Sequence, residues 1–263
     1  MDADGHKGAM DLAWLQEVAD ANFLASFRKL VEHSPGGQLR ETGGAFAFVS
    51  GLPVGYFNGC VIVAPVSTAD LEAAIGWLEA TELPFRVWIR EDLAPRLSAV
   101  PSRHGLVEDE RTFPGMVLAP IPDSPRPPPG VALRAVADTP GLDEHRGILV
   151  ADGADPEVVR RLLPESMLSD PDCALTTVLL EGQPVGYSLA IRSDDVSGVY
   201  NVATLTWARR RGVGTAATWA AVAAGRRWGC RVAVLQSSEM GQSVYEAIGF
   251  RTVVRYTEFR AAR

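Results

Sequence analysis

The stretch Val199-Tyr-Asn-Val-Ala-Thr-Leu-Thr-Trp-Ala-Arg-Arg-Arg-Gly-Val-Gly-Thr-Ala217 places three consecutive arginines, Arg209, Arg210 and Arg211, directly before Gly212-Val213-Gly214-Thr215. Glycines at this spacing let the backbone turn tightly and gather several N–H groups at one point, and a helix starting there adds partial positive charge. That is chemistry for holding a diphosphate, with the arginines supplying charge-assisted contacts. The loop lacks the Gly-Lys-Ser/Thr ending of a Walker A motif, and the third glycine and downstream acid of a dinucleotide fingerprint. The plainer alternative is a solvated basic turn ahead of a helix.

Such a loop needs a strand to deliver it and a helix to receive it. Val199–Thr206 reads as a strand and Gly212–Trp228 as an alanine-rich helix ended by Gly229. Around them the pattern predicts strands over 131–136, 175–180, 184–191, 231–236 and 251–259, and helices over 142–150, 156–168 and 241–248. Asp155 as N-cap and Pro156 in the first turn mark the start of the second helix. The first half is a thinner version, with strands near 45–49, 60–64, 85–90 and 106–118 and a helix from Asp70 to Glu79. The order is mixed α/β, without regular βαβα winding.

Further on comes Leu235-Gln-Ser-Ser-Glu-Met-Gly-Gln-Ser-Val-Tyr-Glu-Ala-Ile-Gly-Phe250. Arg209-x-x-Gly212-x-Gly214, followed at this distance by Tyr245 and Gly249-Phe250, resembles the GNAT superfamily of acyl-CoA-dependent N-acetyltransferases over about Val131 to Phe259. The resemblance implies an α/β (α+β) fold of two GNAT-like domains, each a mixed, mostly antiparallel twisted sheet flanked by helices, with a degenerate N-terminal copy as in tandem GNAT proteins. It implies acetyl-CoA as cosubstrate. Arg209, Arg210, Arg211, Gly212, Val213, Gly214 and Thr215 would hold the pyrophosphate, and Leu205, Thr206 and Trp207 would follow the pantetheine arm. Ser237 and Ser238 would add polar contacts. The Leu205 N–H would polarise the thioester carbonyl, and Tyr245 would protonate the departing thiolate. A phenol of pKa about 10 suits a thiolate of pKa about 8.5, although a packed aromatic is the alternative for Tyr245.

The family's carboxylate base is missing from Tyr200-Asn-Val-Ala-Thr204, which leaves Tyr200 and Asn201 to meet the substrate or orient a water. His145 and the acids Asp143, Glu144, Asp152, Glu165 and Asp170 fall in the helical region that lines the acceptor site in the family, mostly as solvated helix faces.

The chain of 263 residues is 47% hydrophobic and 22% charged, a globular mix with room for one large domain or two smaller ones. A net charge of −7 gives no general electrostatic case for nucleic acid or anionic membranes and leans toward cationic small molecules. Cys60, Cys173 and Cys230 lack CxxC or Cys/His spacing, and His6, His33 and His104 show no ligand spacing, so neither disulfides nor a metal is expected. Met1–Met10 has no apolar signal region, which points to the cytoplasm. No charge occurs from Gly43 to Ala69, but Gly51, Pro53, Gly55, Asn58 and Gly59 interrupt that run, so two buried strands fit better than a membrane span.

Pro120-Ile-Pro-Asp-Ser-Pro-Arg-Pro-Pro-Pro-Gly130 has six prolines in eleven residues and reads as a semi-rigid linker. It suggests a degenerate domain over 1–120, a linker over 121–130 and an acetyl-CoA-binding domain over 131–263. Internal echoes support a duplication: Gly51–Tyr56 with Gly182–Tyr187, Phe85–Ile89 with Cys230–Val234, and His104–Leu106 with Ile248–Phe250, at offsets of 131, 145 and 144. A different registration, Tyr56–Asn58 on Val199–Asn201, also fits. The first half lacks the arginine–glycine loop and has Asp70 at its helix start, where a phosphate would be repelled. Its expected role is structural, walling off the acceptor site, with Trp14, Trp77 and Trp88 in the core.

The expected activity is that of an acyl-CoA-dependent N-acyltransferase, moving acetyl from acetyl-CoA to the primary amine of a small molecule or peptide by direct attack in a ternary complex. The alternative is a non-catalytic acyl-CoA-binding or sensing protein. A monomer or weak homodimer is expected.

Overall fold

A computed structural model describes residues 11–110 and 112–262; His6 and the expectation for the first ten residues lie outside them. The first half runs α1 (Leu12–Glu32), β1 (Gln38–Thr42), β2 (Ala45–Val49), β3 (Asn58–Ile62), α2 (Thr68–Glu79), β4 (Arg86–Arg90), α3 (Ala94–Leu97), α4 (Ala99–Arg103), β5 (Leu106–Glu108) and β6 (Phe113–Leu118). The second half runs β7 (Val131–Ala135), α5 (Thr139–Ala151), α6 (Pro156–Leu162), β8 (Cys173–Leu180), β9 (Gln183–Ser193), β10 (Val196–Thr204), α7 (Val213–Arg227), β11 (Val232–Gln236), α8 (Glu239–Ile248) and β12 (Arg251–Ala261).

All the strands join one sheet, in the order β1-β2-β3-β4-β12-β6-β11-β10-β9-β8-β7, with β5 also on β12. Among the described residues, only β3–β4 and β10–β11 are parallel. The seam is an exchange: β12 runs antiparallel to β4 of the first half, β6 runs antiparallel to β11 of the second, and β6 and β12 pair with each other. Each half's sheet is completed by the other half's last strand.

One helix clamps the seam from one face. Leu15, Ala19, Phe23, Phe27 and Leu30 recur at helical spacing along α1 and pack on Phe48, Trp88, Val117, Val234 and Tyr256, drawn from both halves. Phe27 stacks on Phe48 with ring centroids 4.0 Å apart, and Phe23 lies 5.0 Å from Tyr256. The sequence alone predicts no element over these residues, because polar side chains interrupt the apolar stripe. Each finds a partner: Tyr256 Oη donates to Asp20 Oδ1 at 2.7 Å, Asn22 Nδ2 donates to Ser193 Oγ at 2.7 Å, and Ser26 Oγ donates to the Phe23 carbonyl at 2.7 Å. On the opposite face α2 sets Leu71, Ile75 and Leu78 against Ile62, Val87 and Ile89, and α7 sets its small alanines against β10 and β11.

Several boundaries shift for local reasons. The helix predicted over 156–168 stops at Leu162, before Pro164, and resumes as a 3-10 turn over Glu165–Leu168. The strand expected over 106–118 breaks into β5 and β6. The first echo joins unlike places, since Gly51–Tyr56 lies between β2 and β3 whereas Gly182–Tyr187 turns from β8 into β9. The other two echoes fall alike, leading into β4 and β11 and following α4 and α8. The proline-rich linker lies along α7, with Asp123 paired to Arg226 at 2.6 Å. No helix among the described residues is long and apolar enough to cross a membrane.

Phe259 of β12 is buried among first-half residues. Phe259→Ala is therefore expected to destabilise the protein by about 3–5 kcal/mol. Hydrogen exchange should then quicken in α2 and α7 together; a change confined to α2 would show that the halves unfold separately.

Candidate active site

The site begins where two parallel strands part. β10 pairs with β9 over its length but with β11 only at Val196–Gly198 against Val232–Val234. The β9–β10 register slips between Tyr200 and Ala203, and Asn201 there takes a φ of 48°. A bulge of this kind bends the strand and strengthens its twist, which opens a wedge toward β11. A cleft of about 530 Å³ fills the wedge between β10, α7 and α8.

The loop leaving β10 arrives at α7 with its donors open. Arg210 and Gly212 both take positive φ, 60° and 79°. Gly212 is the α7 N-cap and no side chain caps the helix, so the first-turn amides of Val213, Gly214 and Thr215 face the cleft mouth without a side-chain acceptor. A side chain at Gly212 would meet Pro128 of the linker at 2.8 Å, and one at Gly214 would reach toward Thr204 Oγ1 at 3.4 Å, into the cleft. The glycines thus keep a cradle open at a helix N-terminus with Arg209 and Arg210 beside it, a donor set that fits a pyrophosphate.

Arg209, Arg210, Gly212, Val213, Gly214, Thr215, Ser238 and Tyr245 all line the cleft. The other expected residues lie elsewhere. Arg211 turns away to Glu181, 2.7 Å distant. Trp207 is 62% exposed and, like Thr206, sits in a 3-10 turn outside the cleft. Ser237 is buried and donates its hydroxyl to the Ser238 carbonyl. Leu205 requires a correction: its N–H donates to the Val185 carbonyl at 2.9 Å, on the β9 side, and is engaged before any ligand arrives. Donors alternate sides along a strand, so the adjoining Thr204 faces the wedge, where its carbonyl accepts from Arg209 Nε at 3.3 Å. Asp152, one of the acids expected near the acceptor site, also lines the cleft, as do Val202, Thr204, Thr218, Gly241 and Val244, which carried no distinctive sequence signal.

Tyr245 is half-buried on α8, its ring edge-on to Phe250. A side chain at Gly241 would meet its ring at 2.9 Å, so that glycine makes room for it. Burial pushes its hydroxyl pKa up to about 12. Tyr200, expected to orient a water, instead donates its hydroxyl to Asn22 Oδ1 at 2.6 Å. With Asn201 it lines a small apolar void of about 50 Å³ beneath α1. His145 is buried against Thr177, and burial lowers its pKa to about 4.

A second chamber, of about 410 Å³, lies between the halves and adjoins the cleft at Ser238. Gly55, Arg86 and Phe113 wall it from the first half, and Ser237, Glu239 and Glu258 from the second. Spacing gave no hint of one further group, in which ligand atoms of His33, Asp170 and Cys173 lie within 4.8 Å of one another. Lys29 Nζ is 3.0 Å from Asp170 there, and His33 bridges Asp170 and Ser166, so the carboxylate already has its cation.

The family model of the acetyltransferase (GNAT) family matches residues 144–250. That match lies within the second half of this chain. Solved structures extend the likeness to the fold of nearly the whole chain. A GCN5-related N-acetyltransferase from Kribbella flavida aligns at TM-score 0.70 and 19% identity, over 93% of this chain and 96% of its own. A conserved protein of unknown function from Staphylococcus epidermidis aligns at 0.61 and 14%, over 85% and 93%. A tandem GNAT protein from the clavulanic acid biosynthesis pathway aligns at 0.58 and 16%, over 87% and 84%. Comparison with curated proteins gives no match. The GNAT match takes in α7, its arginine–glycine loop and Tyr245.

Gly212→Ala places a side chain at positive φ and against Pro128. It is expected to lower stability by about 1–2 kcal/mol, read as a lower urea midpoint. An unchanged midpoint would mean that the loop relaxes away from the linker.

Proposed function

We propose that the chain transfers an acetyl group from acetyl-CoA to a primary amine in a ternary complex. The observation that carries this is the uncapped N-terminus of α7 facing, across one cleft, the edge of β10 left without a strand partner. The first supplies donors for the pyrophosphate and the second supplies donors for an extended pantetheine arm. In this reading Arg209 and Arg210 add charge at the mouth, and Thr204 pairs with the arm. The oxyanion-stabilising amide belongs to the bulged backbone at Val202, in place of Leu205.

The amine lone pair attacks the thioester carbonyl carbon, a C–N bond forms, and the C–S bond breaks. The amine gives up one proton and the thiolate receives one. Tyr245 faces the place where sulfur leaves. Its raised pKa keeps it protonated at neutral pH, so it steadies the developing thiolate as a hydrogen-bond donor until a proton passes. The acceptor enters through the chamber between the halves, whose Glu258 is already held by Arg86 and Trp88.

The first half acts as a degenerate copy. Its α2 begins at the corresponding place after β3, but Ser67 caps it and donates its hydroxyl to Asp70 Oδ2 at 2.6 Å. A capped N-terminus bearing a carboxylate repels phosphate. Because the two halves already complete each other's sheet, a monomer suffices.

Calorimetric titration with acetyl-CoA tests the reading. One site per chain is expected; two would show that the first half binds as well, and none would remove the pyrophosphate assignment. Tyr245→Phe should then lower kcat by about a hundredfold or more with acetyl-CoA affinity retained. In the wild type no alkaline loss of rate from Tyr245 should appear below pH 10, because a group with its pKa raised to about 12 deprotonates only above that range. An earlier loss that Tyr245→Phe abolishes would contradict its placement.

A further inference from the structure

On β11, Val232 and Val234 pack beneath α1, whereas Ala233 and Leu235 pack beneath α7. Alternation along the strand therefore turns Gln236 toward the α1 face. Its partner across the sheet is Gly115 of β6, which has no side chain to meet it. Both polar atoms of its carboxamide, Oε1 and Nε2, are sealed from solvent, and neither has a hydrogen-bond partner. Native proteins rarely leave a buried donor and acceptor unmet, because each has lost its water without replacement. Leucine or methionine would occupy the same space without that loss.

The residue also stands where the chemistry is placed. It ends the strand that diverges from β10, one position before Ser237 and Ser238. Both serines line the chamber between the halves, and Ser238 lines the cofactor cleft together with Tyr245. Phe113, two residues before Gly115 on β6, lines the same chamber. The orphaned carboxamide thus belongs to the residue just before these serines, at the end of the strand that flanks the wedge.

We propose that Gln236 receives the acceptor amine, its Oε1 accepting an N–H from the attacking nitrogen. This rests on the acetyltransferase reading above. A carboxamide suits the task better than a carboxylate. A carboxylate would hold the amine as ammonium, whose lone pair is occupied, whereas a neutral oxygen favours neither charge state and leaves the lone pair free for the carbonyl carbon. That matches a β10 strand that offers no carboxylate base, since the amine then arrives as the free base after losing its proton to solvent in the chamber.

The test uses Gln236→Leu, Gln236→Met and Gln236→Glu in the full chain, with hydroxylamine as a probe nucleophile small enough to enter whatever the natural acceptor. Melting temperature, acetyl-CoA affinity and thiol release are measured for each. The Leu and Met variants should melt at or above the wild type, bind acetyl-CoA as it does, and lose about a hundredfold in kcat/KM for hydroxylamine. Gln236→Glu should move the acid limb of the pH profile upward, since the carboxylate holds the nucleophile protonated. Unchanged hydroxylamine kinetics in both apolar variants would assign Gln236 to packing and overturn this proposal alone. A wild type that binds no acetyl-CoA, or binds it and releases no thiol, overturns the acetyltransferase reading and this proposal with it.

Discussion

The antiparallel pairing of β6 with β12 is the constraint on which the rest of the molecule depends. Each is the last strand of its own half, and each has its second edge on the other half's sheet. A strand inside a sheet cannot be withdrawn without stranding buried backbone donors and acceptors on both sides, so neither half closes alone. α1 fixes the seam from one face through its aromatic side chains, and Asp20 ties Tyr256 of β12 to Arg90 of β4. The end of β11, and with it the chamber beside the wedge, is held in place by residues from both halves.

Within that shared sheet the two halves carry opposite electrostatics on similar topology. Both have a parallel pair of strands, and both start a helix after the first strand of the pair. In one the helix N-terminus is closed by a serine and an aspartate; in the other it is left open behind a glycine and flanked by arginines. The two halves therefore differ chiefly in the few residues that open these helices, on a shared topology.

How far the sequence reveals this differs from feature to feature. The arginine–glycine loop was legible because glycine and arginine at that spacing serve few other purposes, and the helix and strands of the second half followed from clean periodicity. α1 was not, because Asp20, Asn22 and Ser26 sit on its buried side; the first two meet partners far away in the chain and Ser26 bonds the Phe23 carbonyl of its own helix. The exchange of strands was invisible, since a short apolar run does not say which half it will join. Backbone roles were the least legible. Leu205 lies close to the right place, but a register slip at Asn201 decides which amides face the wedge, and side-chain identity carries no record of that slip. Gln236 carries no signal in the sequence, because a glutamine at a strand end is unremarkable until its surroundings show that neither polar atom has a partner.

The seam also bears on how the chain is made. β4 emerges early in translation, but its neighbour β12 is synthesised after every other strand. Until then Val87 and Ile89 of β4 border an open edge, and α1 has no Tyr256 to receive. The newly made first half must wait, partly assembled, until β12 of the second half is made. Until β12 is made, such a chain presents on the ribosome an open edge that the finished sheet closes, a site for edge-to-edge association that a nascent-chain chaperone would cover.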